Sequence, residues 1–399
     1  MRTMNQFLFR SAKRGLSPGL VPKLLLAAGL LVLLQGILPG TTLSAQDRTA
    51  RRSLSKQFQV SRESTLEVQN KYGKIQVVTW EKDSVSLEVD ILLTESSTSK
   101  LKKLKEDISI GFSQNNGHYI ARSKFKSEKG RIASELKSVS HTISGANQHV
   151  EINYTVHVPV YLKLVLSNKF GDIYMDDHQG HTDIELSNGV LKANQLKGTT
   201  NISLSFARGM VKSMESGTMK LAYSDMTLDV ASQLDLESKS SSLNADSVNV
   251  LKINSRRDKL HIQRVEYLYG NSNFTQLWIY DFLKESNLYM KYGKLTIEHI
   301  IPEFSKIHVE SEYTDLSLYF DEKSSYAFDI LHHEKTVLRL PVDKIRVSEA
   351  VSGKEHLRTT GVKVGEGGRG SEGVRGGEDP SGKVTIDALQ KCFIILSTK

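Results

Sequence analysis

A single cysteine, Cys392, occurs in the 399-residue chain, so no disulfide can form within it. It adjoins the apolar run Phe393-Ile394-Ile395-Leu396, a setting that reads as a small buried side chain and not as a reactive thiol. Helical patterning is almost missing. It surfaces from Ser97 to Asp107, where Leu101 and Leu104 amid lysines predict one short amphipathic helix. The sequence also has no phosphate-cradling glycine loop, no nucleophile elbow and no zinc-binding helix motif, and with them go the common signatures of nucleotide, acyl-transfer and metalloprotease chemistry.

Long apolar runs are confined to the start. Arg2, Arg10, Lys13, Arg14 and Lys23, with no acid among them, precede the apolar stretch Leu24 to Leu38 and then Leu43-Ser44-Ala45. A charged region, an apolar region and a small-residue site together read as a secretory signal peptide over residues 1–45, cut after Ala45. The apolar stretch is about 15 residues, short of the roughly 20 that a membrane span needs. No cysteine follows it to carry a lipid, and no later segment reads as a span. Removing five cationic residues lowers the formal net charge from +8 to +3, so the basic balance is no argument for a nucleic-acid partner.

What the chain has in abundance is short, alternating, β-branched apolar clusters, the period-2 signature of strands. Between residues 60 and 320 an apolar residue is followed seven positions later by another. The pairs are Val68 and Ile75, Leu166 and Ile173, Leu186 and Ala193, Leu204 and Val211, Leu221 and Leu228, Leu236 and Leu243, Ile253 and Leu260, Leu288 and Leu295, and Val309 and Leu316; Gly270 and Leu277 take the same slot. Successive starts lie roughly 18 apart, and each unit carries an apolar face that it cannot bury alone. The expected fold is all-β: a single-stranded β-solenoid, parallel β-helix-like, of roughly 18-residue rungs with an N-terminal β cap. The expected divisions are 46–160 for the first rung and cap, 161–320 for the repeats, and 321–399 for a C-terminal cap. That cap contains a flexible glycine-rich loop over 361–382 and a final rung over 383–399, in which Ile386 and Phe393 restore the seven-residue spacing. The polar stretch Lys126 to Gln148 reads as a long loop.

Two positions after the first apolar residue stand Asn70, Asn168, Asn188, Ser238, Ser255, Ser272 and Ser311, a column suited to hydrogen bonding along a stack. Phe206, Tyr223 and Met290 interrupt it. Four positions after, an aromatic slot holds Tyr72, Phe170, Phe274, Tyr292 and Tyr313, which either stack against neighbouring rungs or form a platform for sugars or partner chains.

The segments Asn70-Lys71-Tyr72-Gly73, Asn168-Lys169-Phe170-Gly171 and Lys291-Tyr292-Gly293, each followed by an alternating strand, resemble the repeats of the bacterial "putative adhesin" family. Ile152-Asn153-Tyr154-Thr155-Val156-His157-Val158-Pro159 fits the layout of that family, and the resemblance covers about residues 56 to 320 and the last rung. It implies an exported β-solenoid with an envelope or surface role in adhesion or envelope sensing, and it carries no catalytic residues. The chain departs from the pattern between Leu204 and Arg257, where Arg208, Asp225, Ser240 and Arg257 occupy the aromatic slot in this register.

Two other clusters are candidates for chemistry. Asp176, His178, His181 and Asp183 on one turn are possible metal ligands if they converge, against the plainer reading of a solvated turn, and His332-His333-Glu334 is a weaker case. Asp225, Asp229, Asp235 and Glu237 fall near one another in successive rungs, as the acids of a polysaccharide lyase or hydrolase would. Nothing in their spacing separates an acid from a base. The expectation is therefore a non-enzymatic exported binding protein in the periplasm, on the outer surface or secreted, with no cofactor, no membrane span after cleavage, and a surface glycan or envelope protein as partner. A regulatory envelope-stress protein acting through a partner, and a polysaccharide-acting enzyme, are the alternatives.

Overall fold

The computed structural model describes residues 48–126, 149–342, 345–352, 355–365 and 380–399. The expected signal peptide, nearly all of the Lys126 to Gln148 stretch and the middle of the glycine-rich segment lie outside them.

The first rung is β2 (Thr65–Lys71) and β3 (Ile75–Trp80), whose alternate residues Leu66, Val68, Ile75 and Val77 are buried. Its outer edge is covered, as an unpaired edge must be. β1 (Arg48–Gln59) runs antiparallel to β4 (Ser84–Glu95), and β4 runs antiparallel to β7 (His149–Pro159), which lies parallel on β3. The hairpin of β5 (Ile108–Asn115) and β6 (His118–Phe125) turns through Asn116-Gly117, both with positive φ, and β6 lies parallel on β2. The one helix among the described residues, α1 (Thr98–Asp107), starts where Ser97 accepts a hydrogen bond from the Lys100 N–H, and it buries Leu101 and Leu104.

The solenoid continues through β8 (Lys163–Lys169), β9 (Ile173–Met175), β10 (Thr182–Ser187), β11 (Val190–Ser205), β12 (Arg208–Ala222), β13 (Asp225–Lys239), β14 (Ser242–Arg256), β15 (Lys259–Asn273), β16 (Gln276–Lys291), β17 (Lys294–Ile300), β18 (Lys306–Glu312) and β19 (Asp315–Phe320). All pair in parallel with their equivalents one rung away, over about 9 turns of roughly 18 residues. Alternation breaks where two adjacent residues face outward, as at Ser232 and Gln233 in β13, and there the chain turns a corner without leaving the ladder. Each fully buried Leu or Ile of these columns stabilises the stack by about 1.5–3 kcal/mol relative to exposure. Gly270 replaces an apolar residue in the first column with φ +124°. A Cβ there would sit 2.0 Å from the carbonyl oxygen of Ile253, so the close approach of two rungs requires glycine.

The observed register corrects the one expected from sequence. Leu166 pairs with Ile184 and not with Leu186, and the column continues Ile184, Ile202, Met219, Leu236. Leu186, Leu204 and Leu221 are thus displaced by two residues from the column assigned to them, and Ala193, Val211 and Leu228 are displaced likewise from the true column Leu191, Gly209, Met226. A slip of two in a period-2 pattern keeps every inward residue inward, so hydrophobicity alone does not detect it.

After β19 the chain forms β20 (Tyr326–His333), β21 (Val337–Arg339), β22 (Ile345–Val351), β23 (His356–Lys363), β24 (Gly382–Ala388) and β25 (Phe393–Thr398). β24 lies in parallel between β18 and β20, and β25 on β19 and β21, so the chain end returns to the stack, with Ile386 on Val309 as expected but with Ile394, not the exposed Phe393, on Leu316. β23 is antiparallel to both β20 and β22. Gly361, expected to open a flexible loop, is therefore within a strand. Cys392 is buried, and desolvation pushes its thiol pKa up to about 11.

Candidate ligand-binding stripe

From β2 to β19 each rung turns at one corner through a residue in the left-handed region. In rung order these are Tyr72, Phe170, Asn188, Phe206, Tyr223, Ser240, Arg257, Phe274, Tyr292 and Tyr313, with φ between +50° and +65°. Side chains other than Gly, Asn and Asp rarely adopt this conformation, at a cost of about 1–2 kcal/mol per residue. Backbone hydrogen bonds hold it in place. From Tyr72 to Tyr292 the N–H of each corner residue donates to a carbonyl of the next rung, as from Tyr72 to Lys169 at 2.9 Å, Tyr223 to Lys239 at 3.0 Å and Tyr292 to Glu312 at 2.8 Å.

The next residue of each corner supplies a second ladder. The hydroxyl of Ser224 donates to the Ala222 carbonyl at 2.9 Å and accepts from the Ala207 N–H of the preceding rung at 3.1 Å. Ser241 repeats the arrangement with Lys239 and Ser224, and Thr275 with Asn273 and Asp258. In the Asp258 rung the ladder residue is a carboxylate, only 1% exposed, which accepts from the Ser241 and Arg256 N–H groups and from the Ser238 and Ser255 hydroxyls at 2.7–2.8 Å. Four donors satisfy a buried charge that would otherwise be costly. Of the expected polar column, Ser238 and Ser255 thus take part, as do Asn70 and Asn168, whose amides donate to the Ile152 and Gly73 carbonyls. Asn188 belongs instead to the corner, because Asn168 pairs with Leu186.

The left-handed corners throw the aromatic rings outward, and the rung spacing of about 4.8 Å sets them face to face. Centroids are 5.6 Å apart for Tyr72 and Phe170, 5.0 Å for Phe206 and Tyr223, 4.9 Å for Phe274 and Tyr292, and 5.1 Å for Tyr292 and Tyr313, with planes within 15°. Phe125 closes the first cluster edge-on to Tyr72 at 5.7 Å. The five aromatic residues expected from sequence all lie in this stripe, which also includes Phe206 and Tyr223; the two-residue slip had hidden those two. Arg208 and Asp225 leave the slot accordingly. Stacking and exposure occur together: Phe206 is 60% exposed and Tyr313 47%.

Cations border the rings. Lys71 lies over Tyr72 at 5.1 Å, Lys239 over Tyr223 at 5.9 Å, Arg257 over Phe274 at 5.9 Å and Lys291 over Tyr292 at 5.5 Å. Beside the first cluster is an open trough of about 780 Å³, lined by Gln69, Ser167, Lys169, Glu185, Lys220 and Glu237 among others.

The suggested metal ligands do not converge. His178 is buried with Nε2 at 2.7 Å from the Leu162 carbonyl, and burial pushes its pKa down, while His181 pairs with Asp183 at 3.1 Å and Asp176 joins neither. No group of three or more His, Cys, Asp or Glu that could hold a metal ion occurs among the described residues. Its Nε2 contact orients His178 toward its own rung stack, a role that a sequence run of polar residues does not reveal. His332 is also buried, between the His333 carbonyl and Thr359. Of the acids considered for catalysis, Asp235 pairs with Lys252 at 3.9 Å and Glu237 with Lys220 at 3.0 Å, while Asp225 accepts from Ser242.

No family model matches the sequence, and no curated protein matches it. Solved structures of similar build are known. A "putative adhesin" from Bacteroides fragilis is 11% identical, with 62% of this chain and 96% of that chain covered and a TM-score of 0.34. A "putative adhesin" from Parabacteroides distasonis is 12% identical, covers 67% of this chain and 93% of its own, and gives a TM-score of 0.28. A "putative lipid binding protein" from the same organism is 7% identical, with coverages of 67% and 93% and a TM-score of 0.31. The first two carry the name of the family that the repeat motifs resemble. What this chain binds is decided by its own side chains.

Proposed function

We propose that the protein is an exported, non-enzymatic binding scaffold of adhesin type, and that the left-handed corner docks an extended glycan along the solenoid. The observation that carries this reading is the exposed aromatic stripe, built at a conformational cost that a solenoid corner does not require of an aromatic residue. Glycine or asparagine would turn the chain with less strain, as Asn188 does in the same column. Strained residues held in place by the surrounding structure are a mark of functional surfaces. Rings fixed by backbone and neighbours lose little entropy on binding, and the tyrosine edges offer apolar area and hydrogen bonds together. Among the described residues nothing hydrogen-bonds the hydroxyls of Tyr223, Tyr292 and Tyr313, which leaves them available to a ligand.

The test is a glycan array with the purified protein, repeated with Tyr292→Ala and Tyr313→Ala. Glycan binding that the double variant loses while its far-UV circular dichroism is unchanged supports the reading. Absence of binding to any glycan or cell surface overturns it.

A further inference from the structure

The aromatic stripe is interrupted where the corner becomes basic. Between Tyr223 and Phe274 the two intervening corners carry Ser240 and Arg257, and the residues preceding them are Lys239 and Arg256. Lys239, Arg256 and Arg257 are all exposed, and among the described residues none of the three has a carboxylate side chain as ion-pair partner. The carboxylate beneath them, Asp258, is buried and spends its oxygens on four internal donors. Elsewhere on the stripe the acid of the adjoining column, Glu312, is tied to Lys291 at 2.6 Å, which holds its carboxyl below the usual range. Through consecutive rungs the corners Phe206, Tyr223, Ser240, Arg257, Phe274, Tyr292 and Tyr313 therefore run as two rings, a serine beside Lys239, an arginine beside Arg256, and three rings.

We infer that the ligand is an acidic polysaccharide, carboxylated or sulfated, with its anionic groups on Lys239, Arg256 and Arg257 at the Ser240 and Arg257 corners and its sugar rings along the aromatic clusters on either side. This rests on the glycan-binding reading above and names its ligand class. Rungs repeat about every 4.8 Å, a spacing of the same order as one sugar of an extended polymer, so neighbouring sugars can meet neighbouring corners. A single-stranded nucleic acid fits less well. Bases stack on open ring faces, whereas here Phe274, Tyr292 and Tyr313 already cover one another at 4.9–5.1 Å and present edges.

The experiment titrates the purified protein with alginate, polygalacturonate, neutral xylan and an oligothymidylate, in low salt and in about 0.5 M salt, where screening shortens to a few ångströms. A variant carrying Lys239→Gln, Arg256→Gln and Arg257→Gln is compared, with Arg257→Lys as the charge-conserving control. The expected result is at least about tenfold tighter binding of an acidic polymer than of xylan in low salt, roughly 1.4 kcal/mol. That preference falls in high salt, disappears in the triple variant and survives in Arg257→Lys. Equal or tighter binding of xylan, or an acidic preference that the triple variant keeps, overturns the inference while the glycan-binding reading stands. Tighter binding of the oligothymidylate overturns the inference in favour of nucleic acid, and no binding to any glycan overturns both readings.

Discussion

Tyr292 and Tyr313 lie one rung apart with ring centroids 5.1 Å apart and planes 6° apart, each on a residue with φ near +50°. Two effects oppose one another in that pair. Stacking contributes about 0.5–1.5 kcal/mol per contact, and the left-handed backbone takes back about 1–2 kcal/mol. Tyr292→Gly removes both, whereas Tyr292→Ala removes the stacking and keeps the strain. The glycine variant should therefore be the more stable by roughly 1 kcal/mol, read as a higher urea midpoint. Equal midpoints would mean that no strain is stored at the corner.

Asp258 should be the most sensitive polar position of the solenoid. Asp258→Ala leaves two backbone N–H groups and two hydroxyls without their acceptor, at a cost of about 2–4 kcal/mol. Asp258→Thr imitates Thr275 in the next rung and should recover a measurable part of that loss. Denaturant midpoints that place threonine no better than alanine would contradict the ladder.

Cys392 reports on the final rung. Its thiol is buried just before β25, and desolvation raises its pKa to about 11 from an ordinary value of 9.0. The folded protein should resist alkylation at pH 8 and react when the C-terminal strands open. Because the folded pKa lies above the unfolded one for an acid, the contribution is full below pH 9 and declines as pH rises toward 11. Alkylation at the rate of a free thiol in native buffer would place the cysteine outside the stack.

Acid should loosen the C-terminal sheet first through Asp329. Its hydrogen bond from Arg358, across the β20–β23 pairing, holds its carboxyl below the ordinary 3.8. A depressed carboxylate pKa contributes stability above the unfolded value, and the contribution is lost as pH falls below it. Arg358→Gln should lower the melting temperature at pH 6, with the difference from wild type shrinking below pH 4. A constant difference down to pH 2.5 would assign the effect to packing.

The fold was largely legible in the sequence because parallel stacking turns one local pattern into columns of like residues. Val68, Leu166, Leu236, Ile253, Leu288 and Val309 are in the column where their spacing put them. The site was only half legible. Hydrophobic alternation fixes which face points inward but is blind to a shift of two, and the feature that sets the register, a left-handed corner, has no obligatory residue type. Aromatic residues, Asn188, Ser240 and Arg257 all occupy it, so apolar spacing alone places Phe206 and Tyr223 in a neighbouring column. The glycine after Tyr72, Phe170, Asn188 and Tyr292 is the available signal, and it is replaced by Ala207 and Ser224 in two of the three rungs where apolar spacing alone misplaces the register. The Asp176 to Asp183 turn misled for another reason: sequence proximity of ligands does not reveal that His178 faces inward.

The proposed binding surface is the left-handed corner. A crystal structure of the protein with a bound acidic oligosaccharide tests it most directly. Sugar rings are expected along Phe206, Tyr223, Phe274, Tyr292 and Tyr313 with anionic groups at Lys239, Arg256 and Arg257; an oligosaccharide bound in the trough, at either cap, or nowhere along the corner would rule out a binding corner.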